Sequence, residues 1–414
     1  MSSTAQTPSG EAHVPEPNGE IQQGQGPRWR ALLTPVLAVV LALAVGGVLI
    51  IVTNPEVRAA AGYFFDRPAD TLVAALDAVV SAYVALFQGA IFDPGSVASG
   101  SFSRIARPAS ETIVYSTPIV LTGLSVALAF RAGLFNIGAQ GQLILGAIIA
   151  GWIGFGLELP PVLHLLLALT GGVLGGALWG GIVGVLKATS GAHEVIVTIM
   201  LNWVAIYLLG FLLTTRGFQA PPFNQAKSER VLDSAALPPL LGGDLRATTG
   251  FVLALLAALA LWWVLERSTP GFRLKAVGLN PAAARTAGMS VPKTYALAML
   301  AAGALSGLAG ATQALGPIRE ITSTVDNGAG FDGITVALLG RGKPAGVIAA
   351  GLLFGALRAG ATRMQTETQT PVDLILVVQA MTVLFIAAPP LIHAVFRVRT
   401  TQTLIQTGGK GWNE

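Results

Sequence analysis

Cysteine is absent from the 414 residues, so the chain can build no disulfide, thiolate metal site or cysteine nucleophile. Histidine is nearly absent too: His13, His164, His193 and His393 lie far apart and share no metal-ligand spacing, so no metal centre is expected. Charge is thin, 11% of residues against 53% hydrophobic, which is less than half of the ~25% charged residues of an ordinary soluble domain. A water-soluble surface cannot be assembled from that composition. The net charge of +4 comes from basic residues scattered singly between apolar segments, with no basic stripe or interleaved aromatics, so nucleic acid is not an expected partner. A phosphate loop needs G-x-x-x-x-G-K-[ST], but Gly342-Lys343 runs into Pro344 and Gly409-Lys410 into Gly411, so the chain lacks this means of binding ATP. No nucleophile, base and orienter group together as an enzyme requires. Titratable residues do not form a run through the apolar segments, and the two halves do not match, which argues against an ion-coupled carrier.

What is present is apolar length, with a mean hydropathy of +0.66. A helix needs ~20 mostly apolar residues to cross a bilayer, and segments near that length recur at Ala31–Val52, Thr112–Phe130, Leu143–Leu157, Val162–Leu186, Val195–Leu213, Phe251–Val264, Tyr295–Leu315, Gly333–Gly340, Ala345–Leu357 and Leu374–Ile392. The expected fold is an all-α polytopic membrane bundle of about ten segments, residues 31–395, some of them short or re-entrant. Gly333–Gly340 is too short to cross alone, and Phe251–Val264 is expected to extend into its flanks. Residues 1–30, rich in Pro, Gly, Ser, Gln and Glu, read as a disordered cytoplasmic tail, and 396–414 as a second tail. Ala59 and Ala61 offer an A-x-A-like cleavage pair, but the run Ala31–Val52 is too long for a signal-peptide core and its leader is acidic.

The stretch Thr71–Phe92 carries Asp77, Ser81 and Gln88 among apolar residues and reads as a helix on the membrane surface. With that placement and both termini in the cytoplasm, the inner side collects Arg28, Arg30, Arg131, Lys187, Arg267, Arg273, Lys275, Arg285, Lys293, Arg341, Lys343, Arg397, Arg399 and Lys410, 14 of the 25 basic residues. The others lie mostly in the long loops 53–111 and 214–250, which the positive-inside rule discounts. Packing is legible as well. Gly172, Gly176, Gly180 and Gly184 recur every fourth residue, leaving one helix face bare for close approach, and Gly303 with Gly307 and Gly351 with Gly355 repeat the device.

Four stretches stand out chemically. "RAGLFNIGAQGQ" (131–142) interrupts the apolar chain with Gly133, Gly138 and Gly141, which free the backbone from helical geometry, and with Asn136, Gln140 and Gln142, which can pair with it. Either it is a tight cytoplasmic turn whose amides cap the next helix, or it is unwound backbone lining a polar path. The apolar character of "GLFNIGA" leans toward the path, with Phe135 offering a ring surface. "GAHEVIVTIMLNW" (191–203) starts a span with Glu194, a helix-start acid complementing the dipole, and puts Asn202 deeper, where an amide must face the bundle or a polar cavity. Trp203 beside it can stack on a ring or fill space. The basic loop 266–293 contains Asn280, Pro281 and "AAARTAG", read as an N-cap, a first-turn proline, a short helix and a stop at Gly288. In "GFDGITVALLGRGKPAG" (330–346), Gly-flanked half-length apolar pieces turn at RGKP, with Asp332 read as a helix-start acid at the outer face.

In that order, "RAGLFNIGAQGQ", "HEVIVTIMLNW", "GFRLKAVGLNPAAARTAGMS" and "GFDGITVALLGRGKPAG" resemble the signatures of permease subunits of ABC importers in the branched-chain amino acid and simple-sugar superfamily, nucleoside-type branch, over about residues 65–395. The resemblance implies a cell-membrane importer subunit with no cofactor of its own. Its implied partners are a separate ABC ATPase chain, a second related permease and an extracytoplasmic substrate-binding lipoprotein. It also implies that the helix at 280–288 is a coupling helix seated in the ATPase, with Gly278, Asn280, Pro281, Ala284, Arg285 and Gly288 forming that element. Phe135, Asn136, Gln140, Gln142, Asn202 and Trp203 are the expected substrate path. Where the family commonly carries an acid in "NIGAEGQ" this chain has Gln140, which leaves a charged role there without its acid. Ala282 and Ala283 likewise stand where an acid is frequent, a tolerable variation in a docking helix.

Overall fold

Apolar runs of this length become helices because, away from water, only a helix satisfies every backbone N–H and C=O within the segment itself. The computed structural model describes residues 30–388 apart from Ser99 and Gly243. In chain order the helices are α1 (Arg30–Thr53), α2 (Pro55–Ala61), α3 (Pro68–Ala90), α4 (Pro94–Val97), α5 (Phe102–Arg131), α6 (Ala139–Gly156), α7 (Pro161–Ser190), α8 (Glu194–Leu212), α9 (Gly250–Arg267), α10 (Thr269–Leu279), α11 (Pro281–Thr286), α12 (Val291–Ala314), α13 (Ala329–Leu339), α14 (Pro344–Thr368) and α15 (Asp373–Ala387). Among the described residues, nine are long and apolar enough to cross a membrane: α1, α3, α5 to α9, α12 and α14; α13 and α15 are shorter apolar helices. Apart from Arg30, the expected tails 1–30 and 396–414 lie outside the described residues, as do the last residues of the span expected to reach Ile392.

The glycine pattern sets the centre. A Cβ on Gly176 would strike the backbone of Gly303 and Gly307, one on Gly180 that of Met299, and one on Gly184 that of Ala296, so α7 lies against α12 with nothing between the two backbones. From the other side, Gly146 brings α6 onto Gly307. Close approach of this kind replaces the hydrophobic drive that lipid removes between helices. α5 and α14 pair in opposite directions, Gly123 meeting Val347, Gly351 meeting Val120 and Gly355 meeting Ser116. The loop 214–249 folds over the ends of α6 and α12, with Leu232 N–H bonded to Gly154 O (2.9 Å) and Leu237 N–H to Leu315 O (2.9 Å).

The stretch expected to lie on the surface forms, up to Ala90, part of one continuous helix. α3 is a continuous 23-residue helix that by length and composition qualifies as a span. Its acids Asp70 and Asp77 are exposed, while Ala82, Ala85 and Ala90 are buried. Leu86 and Gly89 press on Gly360 of α14, and Tyr83 Oη donates to Leu43 O of α1. The acidic end of α3 is thus open to the surroundings, while its other end packs on α14 and α1.

Candidate functional site

The chain leaves α5 at Arg131 without heading away from the bundle. Leu134 N–H turns back to Ala129 O (3.0 Å), with Gly133 at φ +73 making the reversal. Asn136 consequently reaches Ser125, six residues back along α5, which at ~1.5 Å per residue is roughly 9 Å above the helix end. Non-helical backbone at that depth needs internal partners. Asn136 is fully buried; its Nδ2 donates to Ser125 Oγ (3.1 Å) and Gln142 Oε1 (3.0 Å), and its Oδ1 accepts from Gly138 N–H (3.1 Å) and Gln142 Nε2 (3.1 Å). Asn202 of α8 accepts from Gly141 N–H (2.9 Å) and donates to Ile137 O (3.0 Å). Amides suit this place because each carries both a donor and an acceptor and no charge. Three of them stitch the unwound segment to α5, α6 and α8.

Among the six expected path residues the structure brings Asn136, Gln142 and Asn202 together as this brace. Gln140 turns to another polar group, Phe135 is 37% exposed and packs on Phe130 with centroids 5.1 Å apart, and Trp203 leaves α8 on its exposed face, stacked on Tyr207. Trp203 is therefore not part of the brace.

The polar group beside Gln140 is built around α13. Thr122 Oγ1 donates to Ala329 O (2.7 Å), so α13 begins nine residues back from the end of α5, roughly 13 Å deep by the same rise. Gly328, at φ +72, makes the sharp entry. Asp326 Oδ2 accepts from Gln140 Nε2 (3.0 Å) and from Gly328 N–H (3.2 Å). One turn into α13, Asp332 pairs with Arg358 of α14 at 2.7 Å, the two side chains 15% and 14% exposed, and Arg358 also donates to Asn327 O. Asp332 does sit in the first helical turn, but its partner is a cation inside the bundle and not the outer face. Sequence reasoning missed Arg358, because the span ending at Leu357 stopped one residue short of it. α14 in fact continues to Thr368; the small residues Gly355, Ala359 and Gly360 carry its packing face past the arginine.

On the opposite side of Arg131 lies the loop element. Asn280 Oδ1 accepts from Ala282 N–H and Ala283 N–H, both at 3.0 Å, Pro281 occupies the first turn, and Gly288 at φ +79 ends the turn as the sequence suggests. α11 is a six-residue knob. Ala284 is its foot, 4% exposed and packed with Val277 and Val291, while Pro281, Ala282, Ala283, Arg285 and Thr286 are exposed. α10, one residue before α11, crosses the start of the unwound segment: a Cβ on Gly278 would land on Arg131 O and Gly133 N, and one on Gly133 would meet Gly278 Cα at 3.2 Å. The knob and the brace thus share a backbone-to-backbone joint.

Residues 109–387 match the family described as the branched-chain amino acid transport system / permease component. The chain belongs to this family. As a member of that permease family it is similar to the guanosine ABC transporter permease protein NupP of Bacillus subtilis, 38% identical over 86% of this chain and 93% of the relative. It is also similar to the nucleoside ABC transporter permease protein NupB of Lactococcus lactis, 35% identical over 68% and 79%. A glucose ABC transporter permease protein of Haloferax volcanii is 34% identical over 87% of this chain and 88% of its own. No solved structure matches. The permease is thus a multi-pass membrane transport component, and its family works with an ATPase and a substrate-binding protein.

Proposed function

We propose that this permease forms the translocation path of a nucleoside importer, driven by a separate ATPase chain whose surface receives α11 and supplied by an extracytoplasmic binding lipoprotein, with a second related permease completing the path. The observation that carries the reading is the contact of Gly278 with Ala132 and Gly133. Because backbone touches backbone there, a push on α11 cannot be absorbed by a flexible side chain. It passes from Ala284 through α10 to the segment held by Asn136, and so to Gln140, Asp326 and the buried end of α13. A helix that begins mid-bundle beside unwound backbone is the arrangement that marks solute routes in membrane transport proteins. Of the three expected path residues not taken up by the amide brace, Trp203 lies on the exposed face of α8, and Phe135 and Gln140 are the candidates to face the solute.

Arg285→Glu tests the reading. Insertion and folding stay intact, since Arg285 is exposed, while ATP hydrolysis by the assembled transporter no longer drives uptake. Unchanged uptake would overturn the coupling role. The glucose-transporting relative supports a second reading, the same machine carrying a simple sugar. Competition of labelled guanosine uptake by glucose separates the two.

The reading places α11 in the cytoplasm. The side of the N-terminal end of α1 then depends on α3: if α3 crosses, that end faces away from α11, and if it lies flat, both share a side. A membrane-impermeant thiol reagent applied to Ala31→Cys and Ala283→Cys, one at a time in this cysteine-free chain, distinguishes the arrangements. Labelling of Ala283→Cys from outside intact cells would overturn the orientation.

A further inference from the structure

Next to α11, α9 and α12 leave between them a groove of about 1020 Å³, floored by Leu128 of α5 and Leu274 of α10. Its walls are apolar, with Ala260 and Val264 of α9 facing Leu297 and Ala301 of α12. Polarity is confined to the loop end, where Arg273, Lys293 and Ser290 line it, and no acidic residue lines it anywhere. Both cations are exposed and neither forms an ion pair among the described residues. The Ser290 hydroxyl does not cap α12.

The groove's length decides what fits. Along α12 it runs from Lys293 to Leu305, roughly 18 Å at ~1.5 Å per residue, close to the ~15 Å that is half of a ~30 Å hydrocarbon core. A helix of a second permease would need a surface continuing across the whole core, and a soluble ATPase does not reach apolar walls inside the membrane. An amphiphile one leaflet long, with acyl chains against Leu297 and Ala301 and an anionic head at the two cations, matches both the dimension and the charge; basic pockets between membrane helices recognise anionic headgroups in this way.

We infer that this groove seats an anionic phospholipid of the leaflet on the α11 side, its phosphate held by Arg273 and Lys293. The lining continues through Gly288 and Met289, and Met289 packs with Ala284 at the foot of the knob. An occupied groove therefore fills the space beside the segment that α11 would displace when pushed. The seat itself is independent of the proposed transport function; only its effect on coupling rests on that reading.

Native mass spectrometry of the full-length permease, purified in its transporter complex and offered equal amounts of phosphatidylglycerol and phosphatidylcholine, tests the seat without measuring transport. Wild type should retain phosphatidylglycerol severalfold over phosphatidylcholine. R273Q/K293Q should bring the two to parity by loss of phosphatidylglycerol alone, and Ala301→Trp, which fills the groove, should lower retention of both. Parity in wild type, or a preference that survives R273Q/K293Q, overturns the assignment. So does a crosslink from Leu297→Cys to the second permease, which would identify the groove as a subunit contact.

Discussion

The α6–α7–α12 core and the seam around residues 131–142 solve one problem, bringing backbones together where no water can help, by opposite means. In the core the side chains are removed: Gly146, Gly176 and Gly307 put intact helices in direct contact, and each helix satisfies its own hydrogen bonds. In the seam the helix is given up, and Asn136, Gln142 and Asn202 supply the bonds it would have made. The first solution fixes distance and leaves nothing to rearrange. The second holds its shape through a handful of hydrogen bonds that can be exchanged, beside charged groups, and touches α10 at Gly278. Under the proposed coupling it is the seam, and not the core, that would move.

The largest effects should come from the core. Gly307→Leu places a side chain on the backbone of Gly172 and Gly176, where overpacking costs about 3 kcal/mol or more because neither helix can retreat; the expected outcome is loss of assembled permease from the membrane. Normal yield would mean that the glycine contact is looser than the geometry shows. Next, Asn136→Leu strands Gly138 N–H and the Gln142 amide, at about 1–3 kcal/mol for each buried group left unpaired. Uptake should be abolished and the thermal midpoint of the purified permease lowered, with ATPase binding kept. If uptake survived, the seam would be as static as the core and the contrast between them would fail.

A smaller effect separates the neutral brace from the charged cluster beside it. Gln140→Leu leaves Asp326 with Gly328 N–H alone, and a hydrogen bond to a charged group contributes about 1.5–3 kcal/mol. Gln140→Glu, which installs the acid that the resemblance to the family implies at this position, sets two carboxylates against each other and should lower the thermal midpoint below that of Gln140→Leu. The reverse ranking would show that Asp326 is not the group that fixes the identity of residue 140 in this chain.

The reach of the sequence follows the same division. The glycine faces were legible because a four-residue period is local, and the cap, proline and stop of α11 were legible because a six-residue helix is specified by its immediate neighbours; the burial of Ala284 against Val277 and Val291 was not, since it depends on how α10 and α12 close on the knob. The amides of the seam could be found as polar residues in an apolar context, but not their pairing: nothing near Asn136 in the chain says that Gln142 rather than a solute completes it. Arg358 and Asp332 were out of reach for a stronger reason. Each reads as the end of a span, and only the antiparallel packing of α14 on α5, which also supports α13, brings them together. In Thr71–Phe92 likewise the acids were visible and the packing partner α14 was not.

The joint between α3 and α14 uses both devices at once and gives the smallest expected effect. Gly89 lies on Gly360 and beside Arg363, while Arg363 pairs with Asp93 (2.8 Å) just past the end of α3 and with Glu367 (2.7 Å). The Arg363 hydrogen bond holds the Asp93 carboxyl below its ordinary value of 3.8. A carboxyl depressed in the fold contributes stability above its unfolded pKa and loses that contribution as pH falls through the folded one. The contribution should thus be complete at neutral pH and vanish only below about pH 4, near the ordinary aspartate value. An ion pair this open to water contributes at most about 1 kcal/mol, so Asp93→Asn should lower the thermal midpoint slightly at pH 7 and leave it unchanged once both proteins are measured in acid beyond that transition. A difference of the same size at every pH would mean that the glycine contact, disturbed by the substitution, holds α3 to α14 and that the ion pair adds nothing to it.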